Sequence, residues 1–239
     1  KIYKKKIYLM KNLFLFFYNL IEDNFHLLRI KRFLLKHIFL KDPIIFDIGS
    51  HRGKLAKLMN EVYESSLVYC FEPNESMNSS LQKIGKNVKV FNYAVGEKNG
   101  EEKILINKID LTHSLSKINK NSQYLKIKNF IIGKSEEKIV NKKIKVVSLT
   151  NFCKTNKIKR IDFLKVDVEG YEYEVLKGAK DIIKNVRFIM LEVQKNDMYA
   201  DYSKSEIQNF LKKNNFVLIK SFNFPLMFFK DCIYKRIEN

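Results

Sequence analysis

Short apolar runs, each closed by a polar residue, alternate with amphipathic segments along most of this chain. IIFDI (44–48), bounded by Pro43 and Gly49, predicts a buried strand. KLAKLMNEVYE (54–64) sets Leu55, Leu58, Met59 and Val62 on one helical face. LVYCFE (67–72) predicts a second strand, Asn74 a cap for a helix over ESMNSSLQKIG, and VKVFNYAV (88–95) a third strand. EEKILIN and KKIKVVSL read as further strands, and 149–157 as a helix. IDFLKVD (161–167) and VRFIMLEV (186–193) predict two buried strands around the helix YEYEVLKGAKDII. A helix near 203–214 precedes FVLIKSF and LMFFKDCIYKR, two runs without a helix between them, which predict a closing antiparallel hairpin. The expected fold class is α/β, a Rossmann-like, mostly parallel sheet with helices on both faces and an antiparallel C-terminal hairpin.

No internal repeat divides the chain. The expected organisation is an N-terminal helical extension over 1–40 and one domain over 41–239 with an insertion around 101–140. The insertion is polar with mixed patterns over 110–140, as in a functional lid. The N-terminal KIYKKKIYLMKNLFLFFYNLI has the basic start and apolar stretch of a signal peptide, but Lys11, Asn12 and Asn19 interrupt it and no small-residue cleavage site follows. It is also too short for a bilayer span. An amphipathic helix within 8–40 fits better, packed on the core, joining a homodimer or resting peripherally on a membrane.

The 239 residues are 46% hydrophobic, with 19 Phe and 12 Tyr, enough for a real core and against general disorder. The formal charge of +19 comes mostly from lysine. It reads either as a footprint for nucleic acid or an anionic membrane, or as lysine-rich composition. The lysines scatter and no arginine cluster appears, so composition is favoured and no specific nucleic acid is expected. Cys70, Cys153 and Cys232 form no CxxC pair and no metal spacing, which suits small core residues in a reducing cytoplasm.

Ligands of open parallel sheets bind beyond the carboxyl ends of the strands. Polar residues there are Asp47, Glu72, Asn92, Asp167 and Glu192. In FDIGSHRG, Gly49 permits a sharp turn and Gly53 a close approach, without the GxGxxG or Gly-Lys-Ser/Thr spacing of phosphate loops. With Asp47 in front, this loop suits a cationic, amine-bearing ligand. In CFEPN, Glu72 can accept both hydroxyls of a ribose, or be a surface residue before a turn. In VFNYAVG, Asn92 offers an amide to an adenine edge, or ends a strand. Asp167 ends a buried strand, where an unpaired charge is costly, so a ligand, a metal or a basic partner is expected beside it. Alternation sends Lys165 and Asp167 to the same side. Glu172 suits a helix N-terminus.

IDFLKVDVEGYEYEVLKGA, with DIGSHRG, FEPN, NYAVG and FIMLEV in that order, resembles the FkbM family of S-adenosylmethionine-dependent methyltransferases over roughly residues 44–220. HSLSK (113–117) is similar to the family's Ser-Leu segment. The resemblance implies a class I methyltransferase fold and O-methylation of a sugar, a glycan or a related small metabolite. By position it implies that Asp47, Gly49, Ser50 and Gly53 wrap the methionine part of the donor. Glu72 would bind the ribose, and Asn92 and Ala94 would lie by the adenine. Asp167 would stand beside donor and acceptor. Where the family loop has Ala-Asn, this chain has Ser50-His51.

Methyl transfer to a hydroxyl needs the acceptor aligned and its proton removed. Asp167 is the first candidate base, and His51 a second. Mg²⁺ held by Asp167 and Glu192 is a further candidate. His113 lies in the insertion. The competing readings are a nucleotide-sugar or dinucleotide enzyme on a similar fold, and a basic membrane- or RNA-associated binding module.

Overall fold

The computed structural model describes residues 13, 25–106, 113–117, 119, 121–126, 140–195, 197–223 and 229–237. Its elements begin with α1 (Leu27–His37), β1 (Ile44–Ile48), α2 (Lys54–Val62), β2 (Leu67–Phe71), α3 (Asn78–Gln82), β3 (Val88–Phe91) and β4 (Tyr93–Val95). The insertion adds β5 (Gly100–Ile106), β6 (His113–Ser114) and β7 (Val140–Val147). Then follow α4 (Leu149–Thr155), β8 (Ile161–Val166), α5 (Glu172–Gly178), β9 (Val186–Gln194), α6 (Lys204–Lys213), β10 (Phe216–Asn223) and β11 (Phe229–Arg236).

The seven-stranded sheet has the order β10-β11-β9-β8-β1-β2-β3. From β9 to β3 all pairs are parallel, while β11 is antiparallel to β9 and β10 to β11. The closing hairpin is therefore present. The order reverses beside β1, with β2 on one side and β8 on the other. This is the switch point where the strand tips of an open sheet leave room for a ligand.

Alternation along the strands feeds two cores. One face buries Phe46, Phe71, Leu164 and Val166 against Phe152 of α4, Val175 and Leu176 of α5, and Ile207 and Leu211 of α6. The other buries Ile45, Val68, Phe163 and Phe188 against α1 and α2. Ile30, Leu34 and Ile38 are at most 2% exposed there, and each contributes about 1.5–3 kcal/mol relative to an exposed position. The N-terminal helix thus packs into the domain core. The expected segment over 8–24 lies, apart from residue 13, outside the described residues. Among the described residues no helix is long and apolar enough to cross a membrane. All three cysteines are free and buried in these two cores.

Three local expectations change. The run 88–95 is not one strand. It breaks at Asn92, and β4 leaves the main sheet to pair in parallel with β7 in a second sheet of order β4-β7-β5-β6. The insertion thus builds a small sheet of its own, with residues 127–139 outside the described set. The helix expected over 171–183 stops at Gly178, a residue that weakens helices. The helix expected after Asn74 is shorter, a 3₁₀ turn over Glu75–Met77 followed by α3. Asn74 caps it, its Oδ1 accepting from Ser76 N at 3.1 Å.

Candidate active site

The loop from β1 to α2 is tied to its neighbours through the main chain. Gly49 N and Ser50 N both donate to Phe71 O, at 3.0 and 3.2 Å. Asp167 N donates to Ile48 O at 3.1 Å, which brings the β8 tip against the same loop. Gly49 has φ +75°, and a Cβ there would stand 1.8 Å from Asp167 O, so no side chain is accommodated. Ser50 is buried, and its hydroxyl donates to Asp47 O at 2.6 Å, which brings the chain back toward the strand it has just left. Gly53, also at φ +75°, begins α2. Gly49 makes the sharp turn the sequence implied, a Cβ at Gly53 would meet the side chains of Ile84 and Leu81, and Ser50 uses its donor on the backbone.

The β2 tip carries Glu72, only 3% exposed. Its Oε2 accepts from His51 N at 2.8 Å and its Oε1 from Asn74 N at 2.9 Å. Burial raises its proton affinity, and these two N–H groups oppose that by favouring the anion. Each oxygen retains a lone pair for a further donor. His51 reaches Glu72 because its backbone is left-handed, φ +47°, a region in which His is enriched. The observed tie between His51 and Glu72 is thus made by the main chain.

Asn92 does not keep its amide for a ligand. Its Nδ2 donates to Asn78 Oδ1 at 2.8 Å and to Glu72 O at 3.2 Å, and its Oδ1 accepts from Asn78 Nδ2 at 2.7 Å. Both of its N–H groups are committed, so an adenine contact through them is not available in this arrangement. Ala94 lies in β4 of the second sheet and packs with Ile104, Ile144 and Val146. Asn92 and Ala94 thus stand at the junction between the two sheets.

The centre of the site is a residue left out of the sequence-based candidates. Asp47 on β1 stands in register with Lys165 on β8. Lys165 Nζ lies 3.1 Å from Asp47 Oδ1 and 3.3 Å from Asp167 Oδ2, and donates to Gly49 O at 2.8 Å. Burial alone would lower the lysine's proton affinity, but the charges of Asp167 and Asp47 outweigh it and hold the ammonium above the ordinary lysine range. Asp47 is almost wholly buried, its side chain 2% exposed, and its Oδ2 accepts no hydrogen bond. The Asp167 side chain is 34% exposed. One carboxylate is thus sealed into the floor and the other is presented to solvent. The signal for Lys165 was its place in an otherwise apolar strand, two residues before Asp167.

Beyond Asp167 the chain turns through Glu169 (φ +54°) and Gly170 (φ +96°). Glu172 Oε1 accepts from Val168 N and Gly170 N, both at 3.2 Å, and clamps this turn from inside. Full burial pushes the Glu172 carboxyl up to about 8, against those two donors, so it is protonated at neutral pH. Tyr199 donates from its hydroxyl to Glu169 on the other side of the turn.

Glu192, on β9, is 9% exposed and accepts from the side-chain amide of Gln194. It stands in register with Asp231 of β11, whose Oδ2 is 2.5 Å from His26 Nε2. Burial, then Asp167, Glu169 and Asp231, push Glu192 well above the usual carboxyl range. Among the described residues no group of three or more His, Cys, Asp or Glu side chains could hold a metal ion. Moreover, the Lys165 ammonium already neutralises Asp167 on one side. The Mg²⁺ expectation at Asp167 and Glu192 gains no support from this arrangement. His113 lies in β6, opposite Ile106 of β5.

The family model described as the Methyltransferase FkbM domain matches residues 47–218, from Asp47 through all of these strand tips into β10. The chain is 23% identical over 179 residues to the 2-O-methyltransferase NoeI of Sinorhizobium fredii, covering 72% of each chain. It is 25% identical over 157 residues to the hexuronic acid methyltransferase AglP of Haloferax volcanii, covering 64% of this chain and 56% of that one. Among solved structures, the magnesium protoporphyrin IX methyltransferase ChlM from Synechocystis PCC 6803 with bound SAM superposes with a TM-score of 0.51 at 12% identity, covering 89% of this chain and 78% of that chain. That likeness bears on the fold, a class I methyltransferase fold. The readings as a dinucleotide enzyme or a binding module give way, and this chain belongs to the FkbM family of methyltransferases.

Proposed function

We propose that the chain transfers a methyl group from S-adenosylmethionine to a sugar hydroxyl. The names of its two relatives, a 2-O-methyltransferase and a hexuronic acid methyltransferase, support an oxygen acceptor on a saccharide. The donor's fit rests on three features of the strand tips. Glu72 is a buried carboxylate held in place by two backbone donors, with lone pairs left for ribose hydroxyls. Gly49 lets the β1 loop lie flat against the β8 tip. Asp47 keeps a buried oxygen without a hydrogen bond, suited to the donor's cationic end. Asn92 supports this pocket indirectly, by tying α3 and the β2 tip together.

Bound there, S-adenosylmethionine supplies a methyl group made electrophilic by its sulfonium sulfur. The observation that carries the rest is the Asp47–Lys165–Asp167 arrangement. Lys165 holds the two carboxylates at a fixed spacing and stops them repelling one another. The sealed Asp47 keeps negative charge beneath the donor. The accessible Asp167 accepts a hydrogen bond from the acceptor hydroxyl, aims its oxygen lone pair at the methyl carbon and takes the proton as the C–O bond forms and the methyl–sulfur bond breaks, S-adenosylhomocysteine leaving as a neutral thioether. Burial and the nearby Asp167, Glu169 and Asp231 push the Glu192 carboxyl upward, and it closes this side of the site with Gln194.

The test is transfer of labelled methyl to saccharides, hexuronate-containing ones first, with product analysis for an O-methyl ether. Asp167→Asn retains the shape but cannot take a proton. It is expected to lose about 10²–10⁴-fold in turnover while binding S-adenosylhomocysteine within a few-fold of the parent. Near-parental turnover would remove Asp167 from the reaction. Methylation found on nitrogen or carbon would overturn the acceptor class.

A further inference from the structure

We propose that the outer face of α1 is a docking surface for an anionic lipid bilayer. The inner face of this helix is already occupied, since Ile30, Leu34 and Ile38 are buried in the sheet's core. A helix packed on a domain surface ordinarily turns polar residues outward. Here Phe25, Leu28, Leu35 and Phe39 are 63%, 43%, 52% and 78% exposed. At 3.6 residues per turn, Leu28 and Leu35 share one side of α1 with Arg32 and Lys36, which are also exposed, and Phe39 follows just past the end of the helix. Residues 25–41 hold five Lys or Arg (29, 31, 32, 36 and 41) and no Asp or Glu. Exposed leucine and phenylalanine beside arginine and lysine is the make-up of a helix that lies in a bilayer interface. The apolar side chains enter the acyl boundary and the cations meet lipid phosphates.

Charge selects this occupant over a second copy of the chain. A two-fold contact through the face would set Arg32 and Lys36 against a surface of the same sign. The location also fits a role for the surface. The helix starts at the ligand end of the sheet, where His26 meets Asp231 beside Glu192, and ends at Ile38, whose carbonyl accepts from Tyr63 Oη at 2.9 Å. A bilayer along α1 would therefore reach the edge of the candidate active site.

The experiment is sedimentation of the full chain with phosphatidylcholine vesicles, with and without phosphatidylglycerol. Binding is expected on the anionic vesicles and to be weakened by salt. Arg32→Gln with Lys36→Gln should weaken it more than about tenfold, since each cation near such a surface is worth about fivefold. Leu28→Ser, Leu35→Ser and Phe39→Ser together should weaken it by about a hundredfold or more. Turnover of a water-soluble acceptor should be unchanged in both variants, because none of these residues lines the site. No binding to anionic vesicles would overturn the proposal. Binding that both variants retain would do so too, assigning it to the basic segment before residue 25. A dimer seen by light scattering and lost in the apolar variant, with vesicle binding intact, would assign the face to a second copy.

Discussion

Lys165 shows how one side chain can organise a site. Its ammonium meets the Asp47 carboxylate on β1, and the Gly49 carbonyl and Asp167 carboxylate just beyond the ends of β1 and β8, with the residue 8% exposed. Lys165→Met would leave Asp47 as a buried charge without a cation. Losing one partner of a buried ion pair costs about 3–5 kcal/mol, and chemical denaturation should register a loss of that size. A change under about 1 kcal/mol would mean that water or another group already satisfies Asp47. Residues of this kind are hard to read from sequence. A lysine in an apolar strand is equally compatible with a snorkelling edge residue, and its partner Gly49 is 116 positions away. Asp47, Glu72 and Asp167 could be singled out as candidates because each closes or nearly closes an apolar run at the end where α/β sheets bind ligands. His26 with Asp231 was not, because 205 residues separate them and neither belongs to a motif.

Among the elements, the turn from β8 to α5 carries a pH dependence of its own. The Glu172 carboxyl has an ordinary value of 4.5 and is pushed up to about 8 by burial. Between those values the folded chain holds a proton that the unfolded chain has released. The contribution is therefore complete below about 4.5 and is lost as pH rises through about 8. Glu192 is displaced in the same direction. Stability should fall from mildly acidic to mildly alkaline pH, and Glu172→Gln, which keeps the accepting oxygen for Val168 N and Gly170 N, should remove part of that slope, up to about 1.4 kcal/mol per pH unit. Denaturation midpoints of the two proteins across that range check it, and parallel profiles would mean that Glu172 is ionised in the fold. The helices and the main-sheet strands were readable from periodicity. The break at Asn92 was open in the sequence, where VKVFNYAV is mostly apolar with no Gly or Pro and Asn92 could equally end a strand or face a ligand, and its bonds to Asn78 and Glu72 mark where the main sheet ends and the second begins.

For the molecule as a whole, the order of the seven strands decides where chemistry can occur. The tips of β1, β2 and β8 meet at the reversal of strand order, and their main chains are hydrogen-bonded to one another through Phe71 O and Ile48 O. Asp47, Glu72, Lys165 and Asp167 are thereby held by rigid elements on one edge of the sheet. The helix α1, read as an extension, proves to be part of the core on one side and an apolar, basic surface on the other. The most direct test of this account is calorimetric titration with S-adenosylhomocysteine, comparing the parent with Glu72→Gln. The account predicts micromolar binding by the parent, weakened at least about tenfold, or about 1.4 kcal/mol, in the variant. Absence of heat from the parent at millimolar ligand, or equal affinity of the two proteins, would contradict it.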